Sequence, residues 1–209
     1  MFLLTPLVFC DILPAIMSKP RILVFGGSLR LESYNQKLAA LAAEAAHGAG
    51  AEVTLISLRD YRLPLFDEDY EETEGKPEAA RRLKELFVGS DGFIIASPEY
   101  NSGITAALKN TIDWVSRADS DDEPPLVAFK GKTAAIIAAS PGGYGGARSL
   151  AQLRILLGNI RVDVIDGEVT IPKAYEAFTA DDRLIDGAQM AAVELLVGRL
   201  VDQIRKTES

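Results

Sequence analysis

The 209-residue chain is poor in reactive side chains, with one cysteine, Cys10, and one histidine, His47. A lone cysteine cannot close an internal disulfide, and one histidine with one cysteine cannot build a His/Cys metal site. Any Cys–His or Ser–His catalytic pair would have to use His47. That residue ends the alanine-rich helical stretch Asn35–His47, just before Gly48. It reads as a helix C-terminal residue favoured by the dipole, not as a general base. Positive charge is also scarce: Lys+Arg 22 stand against Asp+Glu 30, for a net charge of -8. Such a surface repels nucleic acid and anionic membranes, so neither is an expected partner. Long apolar runs are missing as well. Met1–Ile16 is apolar, but Pro6, Pro14 and Asp11 interrupt it. It is too short to span a bilayer, and the absence of Lys or Arg before Lys19 denies it the basic start of a secretory signal. Residues 1–16 are expected to be a disordered or non-native extension, with the natural chain starting at Met17, or else a segment packed on the surface or a partner. The expected location is cytoplasmic.

The remainder is an ordinary globular mixture, 48% hydrophobic and 25% charged. A chain of this size needs no metal or disulfide to stabilise its core. Residues 17–209 read as one domain. Short apolar, β-branched runs occur at Arg21–Phe25, Ala51–Leu58, Gly92–Ser97 and Lys132–Ser140, with strand-like pieces over Arg161–Ile171 broken by Gly167. Helical patterns lie between them at Asn35–His47, Pro77–Val88, Thr105–Arg117 and Ala147–Leu157. An amphipathic helix over Asp182–Arg205 closes the chain. Strands alternating with helices imply a doubly wound parallel sheet with helices on both faces. The acidic stretches Asp67–Glu74 and Asp119–Glu123 lack the spacing of a calcium loop and read as solvated loops. Trp114 reads as a packing or subunit-contact residue.

In such sheets ligands bind beyond the carboxyl ends of the strands, at a topological switch point. Three loops lie there. Gly26–Asn35 (GGSLRLESYN) joins the first strand to a helix N-terminus, an anion site by virtue of its free N–H groups and dipole. Ser28 and Ser33 offer hydroxyls, Asn35 an amide and Arg30 a forked guanidinium, a set suited to a phosphate monoester. It is neither G-x-G-x-x-G nor a P-loop. Ordinary capping by Ser33 or Asn35, with Arg30 in solvent, is the alternative. The second loop opens with Ser97-Pro98-Glu99-Tyr100-Asn101. The third, Ser140–Arg154, opens with Ser140-Pro141-Gly142-Gly143-Tyr144-Gly145-Gly146, where glycines let backbone approach a flat ligand.

These motifs, GSLRLESYN (27–35), SPEYNSGITAALKNTIDW (97–114) and SPGGYGGAR (140–148), resemble the NADPH-dependent FMN reductase family, which includes quinone, azo and chromate reductases. The resemblance runs from about Arg21 to about Ile171. It implies a flavodoxin-like, doubly wound five-stranded parallel sheet of order 2-1-3-4-5, with FMN at the switch point. It further implies that Ser28, Arg30, Ser33 and Asn35 hold the FMN phosphate, with Tyr34 beside them. Pro98, Glu99, Tyr100, Asn101, Ser140, Gly142, Gly143, Tyr144 and Gly145 would flank the ring. No catalytic side chain and no metal are required. Hydride would pass from NADPH or NADH to N5 of FMN, then to a quinone, flavin, azo compound or oxidised metal ion by a ping-pong mechanism. A flavodoxin-type electron carrier is the competing reading, but a carrier encloses the ring between bulky aromatics, and glycine dominates around Tyr144. Arg117, Arg148 and Arg154 are candidate contacts for a nicotinamide 2′-phosphate, with solvated surface arginine the commoner outcome for such residues. The resemblance also implies a homodimer or homotetramer, for which the helix bearing Trp114 and Val115 is the candidate contact surface.

Overall fold

A computed structural model describes residues 18–207. The extension at 1–16, Cys10 and the proposed start at Met17 lie outside the described residues. Five strand positions form one parallel sheet in the order β2-β1-β3-β4-β5. The strands are β1 (Arg21–Gly26), β2 (Glu52–Ser57), β3 (Gly92–Ala96), β4 (Thr133–Ala139) and β5 (Asp163–Val164), with β6 (Val169–Ile171) continuing the fifth position along β4. The break between β5 and β6 contains Gly167, at φ 84. The chain therefore runs outward from β1 to β2, then returns to place β3 on the other side of β1. That reversal is the switch point.

The central strands are buried on both faces, and their alternation sorts the core into two layers. Ile22, Val24, Ile94, Ile137 and their alanine neighbours meet α1 (Tyr34–Gly48) and α7 (Gly187–Thr207). Leu23, Phe25, Phe93 and Ile136 meet α3 (Glu78–Val88), α4 (Ala106–Ser116) and α5 (Ala147–Asn159). In α1 the facing residues are small, Ala39, Ala42 and Ala46, so the helix lies close to the sheet. The opposite layer is filled by Phe25, Phe87, Phe93 and Phe129, whose rings lie 5.0 to 6.3 Å apart. Among the described residues no helix is long and apolar enough to cross a membrane.

Several expectations need correction. Residues 67–74 are not a loop: Glu68–Glu74 forms α2, N-capped by Asp67 and ended by Gly75 at φ 76. Its acidic first turn suits the helix dipole, which hydrophobic periodicity does not register. Trp114 and Val115 are fully buried inside the subunit, so they cannot form a subunit contact. The indole donates to the Pro64 carbonyl at 2.9 Å and meets Phe66 and Tyr70 edge-on. The closing helix starts at Gly187, since Asp182 stands at φ 60, which an α-helix does not admit. A further short helix, α6 (Ala174–Ala177), precedes it.

The second acidic stretch is not simply solvated either. Lys76 and Lys84 have side chains only 5% and 3% exposed. Both ammonium groups donate to the Arg117 carbonyl at 2.7 Å. Lys76 also meets Asp119 at 2.5 Å, while Lys84 meets Asp119 at 3.1 Å and bonds Glu123. Burial pushes both lysines toward the neutral form. It prevails at Lys76, whose pKa falls, whereas two carboxylates overcome it at Lys84, whose pKa rises. Burial likewise opposes ionisation of Asp119, but hydrogen bonds from Lys76 and Lys84 outweigh it and hold the carboxyl below its ordinary range. A depressed carboxylate stabilises the fold above its unfolded pKa, and that contribution is lost as pH falls through the folded value. The urea midpoint should therefore drop as pH is lowered below about 4, and Asp119→Asn should drop less steeply over that window. Equal slopes for the two proteins would show that Asp119 is not linked to folding.

Candidate functional site

Each of the three loops at the carboxyl edge has its own local logic. In the first, Ser33 is the N-cap of α1: its Oγ accepts from the Gln36 N–H at 3.4 Å. The Ser28 Oγ accepts from the Arg30 N–H at 3.1 Å. Both hydroxyls are buried, and each still has its own O–H to donate. The first N–H groups of α1, on Tyr34 and Asn35, have no acceptor one turn back within the helix. Arg30 is exposed and makes no ion pair among the described residues. Asn35 is also buried, but its amide is engaged. Nδ2 donates to the Ala139 carbonyl at 2.7 Å and Oδ1 accepts from the Ala139 N–H at 2.9 Å. An anion at this helix start can thus use the backbone N–H of Asn35, while the side chain joins α1 to the end of β4.

The second loop is a tight hairpin. Asn101 and Ser102 have φ of 52 and 64, and Tyr100 and Gly103 exchange backbone hydrogen bonds at 3.0 Å in both directions. Positive φ at both central residues is the two-residue hairpin geometry that Asn and Gly ordinarily supply. Gln152 of α5 supports it by donating to the Ser102 carbonyl at 3.0 Å. The turn lifts Tyr100 into solvent, 57% exposed.

In the third loop the four glycines do two jobs. Gly145 and Gly146 have φ of 60 and 98, and a Cβ on Gly146 would sit 2.6 Å from that of Ala138. They allow the sharp turn into α5. Gly143 faces open space, and a Cβ on Gly142 would meet only the Ser140 Oγ, at 3.8 Å. Tyr144, between the two glycine pairs, is 69% exposed.

A cavity of about 110 Å³ lies where the three loops meet, lined by Ser28, Arg30, Ser33, Tyr34, Asn35, Pro98, Glu99, Tyr100, Ala139, Ser140 and Pro141. Of the residues expected here, Asn101 and the glycines with Tyr144 stand outside this lining, on the hairpin tip and the third loop. The only carboxylate in the lining, Glu99, is paired with Arg148 at 3.1 Å. The cavity thus offers hydroxyls, helix N–H groups and a guanidinium without an opposing free acid. Outside it are two exposed phenol rings and a stretch of bare backbone. This set fits a phosphate monoester joined to a flat ring, and so fits FMN. A larger cavity, about 290 Å³, is lined by Leu29, Leu58, Arg59, Tyr61, Arg62, Leu63, Ala107, Asn110 and Thr111 and contains none of the residues expected to hold the cofactor.

Comparison with known proteins agrees. The profile of the NADPH-dependent FMN reductase family matches residues 20–176. The chain belongs to this family. It is 38% identical over 189 residues to an NAD(P)H-dependent FMN reductase of Pseudomonas aeruginosa, covering 86% of this chain and 96% of that protein. It is 36% identical over 139 residues to a quinone reductase of Escherichia coli, covering 66% and 70% of the two chains. Among solved structures, the flavoenzyme NAD(P)H:(acceptor) oxidoreductase FerB of Paracoccus denitrificans superposes with a TM-score of 0.74 at 30% identity, covering 90% of this chain and 98% of that one. The flavodoxin-like fold and the oxidoreductase class follow, with FMN and NAD(P)H as the cofactors of the family.

Other contacts of this FMN reductase fold were not foreseen. Tyr34 stacks on Phe178 at 5.8 Å, so the segment after α6 packs against the start of α1 beside the first loop. Nothing periodic around Phe178 signals this. Of the three candidate arginines, Arg154 donates to the carbonyls of Val164, Ile165 and Gly167, and Arg117 pairs with Glu71. Only Arg148 stands at the site. His47 is exposed in the last turn of α1.

The two kinds of glycine are separable by mutation. Gly146→Ala should destabilise the protein by about 1–3 kcal/mol through its left-handed backbone and the Ala138 clash. Gly143→Ala should stay within about 0.5 kcal/mol. Thermal melts of both variants test this, and equal losses would refute the division.

Proposed function

We propose that this protein is an FMN-dependent NAD(P)H oxidoreductase that takes hydride from NAD(P)H and reduces a small acceptor of the quinone, flavin, azo or oxidised-metal class. The observation that carries the reading is an anion cradle beside an open mouth: two buried hydroxyls with a proton each to donate, next to exposed Tyr100 and Tyr144 and the bare Gly142–Gly143 backbone. FMN, when bound, supplies a two-electron redox centre of its own. The protein's part is to bind and orient. Ser28, Ser33, Arg30 and the first N–H groups of α1 would hold the phosphate. The hairpin of Pro98–Asn101 and the third loop would hold the ring by backbone and edge contacts. Because no bulky side chain closes the mouth at Gly142 and Gly143, nicotinamide and acceptor can use the same open face in turn, which is the basis of a ping-pong order. No acid–base side chain is needed for hydride transfer, in keeping with a site whose only carboxylate is ion-paired.

A homodimer or homotetramer is part of this reading. With Trp114 and Val115 buried, those two side chains take no part in the contact. A monomeric mass by light scattering would overturn it.

The decisive experiment is anaerobic titration of the FMN-loaded protein with NADPH and with NADH. Bleaching of the bound flavin is expected. A flavin that stays oxidised would leave an electron carrier instead of a reductase. Arg30→Ala should weaken FMN binding by ~1.5–3 kcal/mol, roughly 10- to 150-fold. Unchanged affinity by fluorescence titration would remove Arg30 from the cradle.

A further inference from the structure

The geometry points to Arg148 as the anchor for a phosphate of the nicotinamide nucleotide at the mouth of the site, and to Glu99 as the residue that positions it. The inference rests on the oxidoreductase reading above and goes beyond it by assigning the second substrate a contact.

Arg148 is the second residue of α5. A cation there faces the positive end of the helix dipole, so the position is unfavourable unless something compensates. Glu99, from the second loop, compensates twice. One carboxylate oxygen accepts from the Arg148 backbone N–H at 3.2 Å, and the other lies 3.1 Å from its Nε as an ion pair. The N-cap of α5 is Gly146, which has no side chain, so Glu99 serves as its cap from a distant loop. The Glu99 side chain is only 11% exposed, which fixes the pair. The guanidinium then lies over the Tyr144 ring, 4.7 Å from its centroid.

Held by Nε on one edge and by a ring on one face, the guanidinium keeps both Nη groups without a hydrogen-bond partner among the described residues, while its side chain is more than half exposed. That is a planar, oriented fork presented at the mouth of the ring site, the geometry that recognises phosphate oxygens. The chain has a net charge of -8 and repels a dinucleotide overall, so entry calls for a local cation. Arg30 belongs to the cradle, and Arg117 and Arg154 are engaged elsewhere. The ligand chemistry is a phosphate, from either the pyrophosphate shared by NADH and NADPH or the 2′-phosphate of NADPH.

The test uses the full-length FMN-loaded protein with an uncharged quinone as acceptor. Arg148→Ala should raise KM for the nucleotide about ten-fold, with kcat and the quinone KM within about two-fold, and Arg148→Lys should recover part of the loss. Calorimetric titration with NADP+ and NAD+ should show the same weakening without turnover, and a shallower salt dependence. Loss with both nucleotides assigns the pyrophosphate, and loss with the NADPH series alone assigns the 2′-phosphate. Glu99→Gln retains an acceptor for the α5 cap but lacks the charge that holds the guanidinium. It should raise the nucleotide KM about three-fold. If the wild type reacts with NAD(P)H and Arg148→Ala binds both nucleotides as the wild type does, the role of Arg148 is refuted alone. A wild type that reacts with neither refutes the oxidoreductase reading first.

Discussion

The buried amide of Asn35 holds the first turn of α1 against the end of β4, giving and taking one hydrogen bond with the backbone of Ala139. The arrangement of the site depends on it. Ala139 is the last residue of β4, so its polar groups lie where the sheet ladder ends. Left unpaired and buried, each would cost about 1–3 kcal/mol. Asn can satisfy both because its amide has a donor and an acceptor side by side. Aspartate would lack the donor, and leucine would lack both. The helix whose N-terminus would hold the anion is thereby placed against the strand whose exit leads into the loop proposed to hold the ring.

The other two pairs of loops are joined in the same way. Thr105, the N-cap of α4, donates to the Gly27 carbonyl at 2.5 Å, and the Gly27 N–H reaches the Ala96 carbonyl at 2.8 Å. These contacts tie the first loop to the second. Glu99 ties the second to the third through Arg148. Each loop is thus joined to each of the others by at least one polar contact, and the joints are all near the strand ends. Loops are ordinarily the mobile part of a fold. Here the segments nearest the sheet are cross-braced, while the exposed tips carrying Tyr100 and Tyr144 extend beyond the braces.

Much of this architecture was legible because burial on both faces forces a distinctive composition. RILVF and GFIIA have too many consecutive apolar residues for a half-exposed strand, and the intervening alanine-rich stretch has helical spacing. The three loops were legible from residue chemistry, since Gly, Pro, Ser and Tyr at strand ends are informative about backbone freedom. What stayed hidden depended on partners distant in sequence. The acidic segment 67–74 becomes a helix through a cap and a docked Tyr70, not through periodicity. Asn35 looked like a phosphate donor because nothing local reveals that Ala139 needs it. Glu99 and Arg148 lie 49 positions apart, and neither motif alone shows that they meet. The equivalence of the four glycines was also misleading, because φ and neighbouring Cβ atoms separate them and the letters do not.

The bracing bears directly on what binding costs. A phosphate is strongly hydrated, and a protein replaces that shell favourably only when its donors are already aimed. Ser28 and Ser33 meet that requirement by accepting backbone hydrogen bonds, which fix each oxygen and leave the O–H to rotate. The N–H groups of α1 are fixed by the helix, and the helix by Asn35. The ordering entropy of these donors is therefore met during folding and not during ligand capture. Arg30 is the exception, exposed and untethered, so it can reach an anion from solvent before the fixed donors engage. In the proposed reading an acidic protein gains from this division: the exposed cation would attract, and the rigid, neutral donors would define where the anion comes to rest.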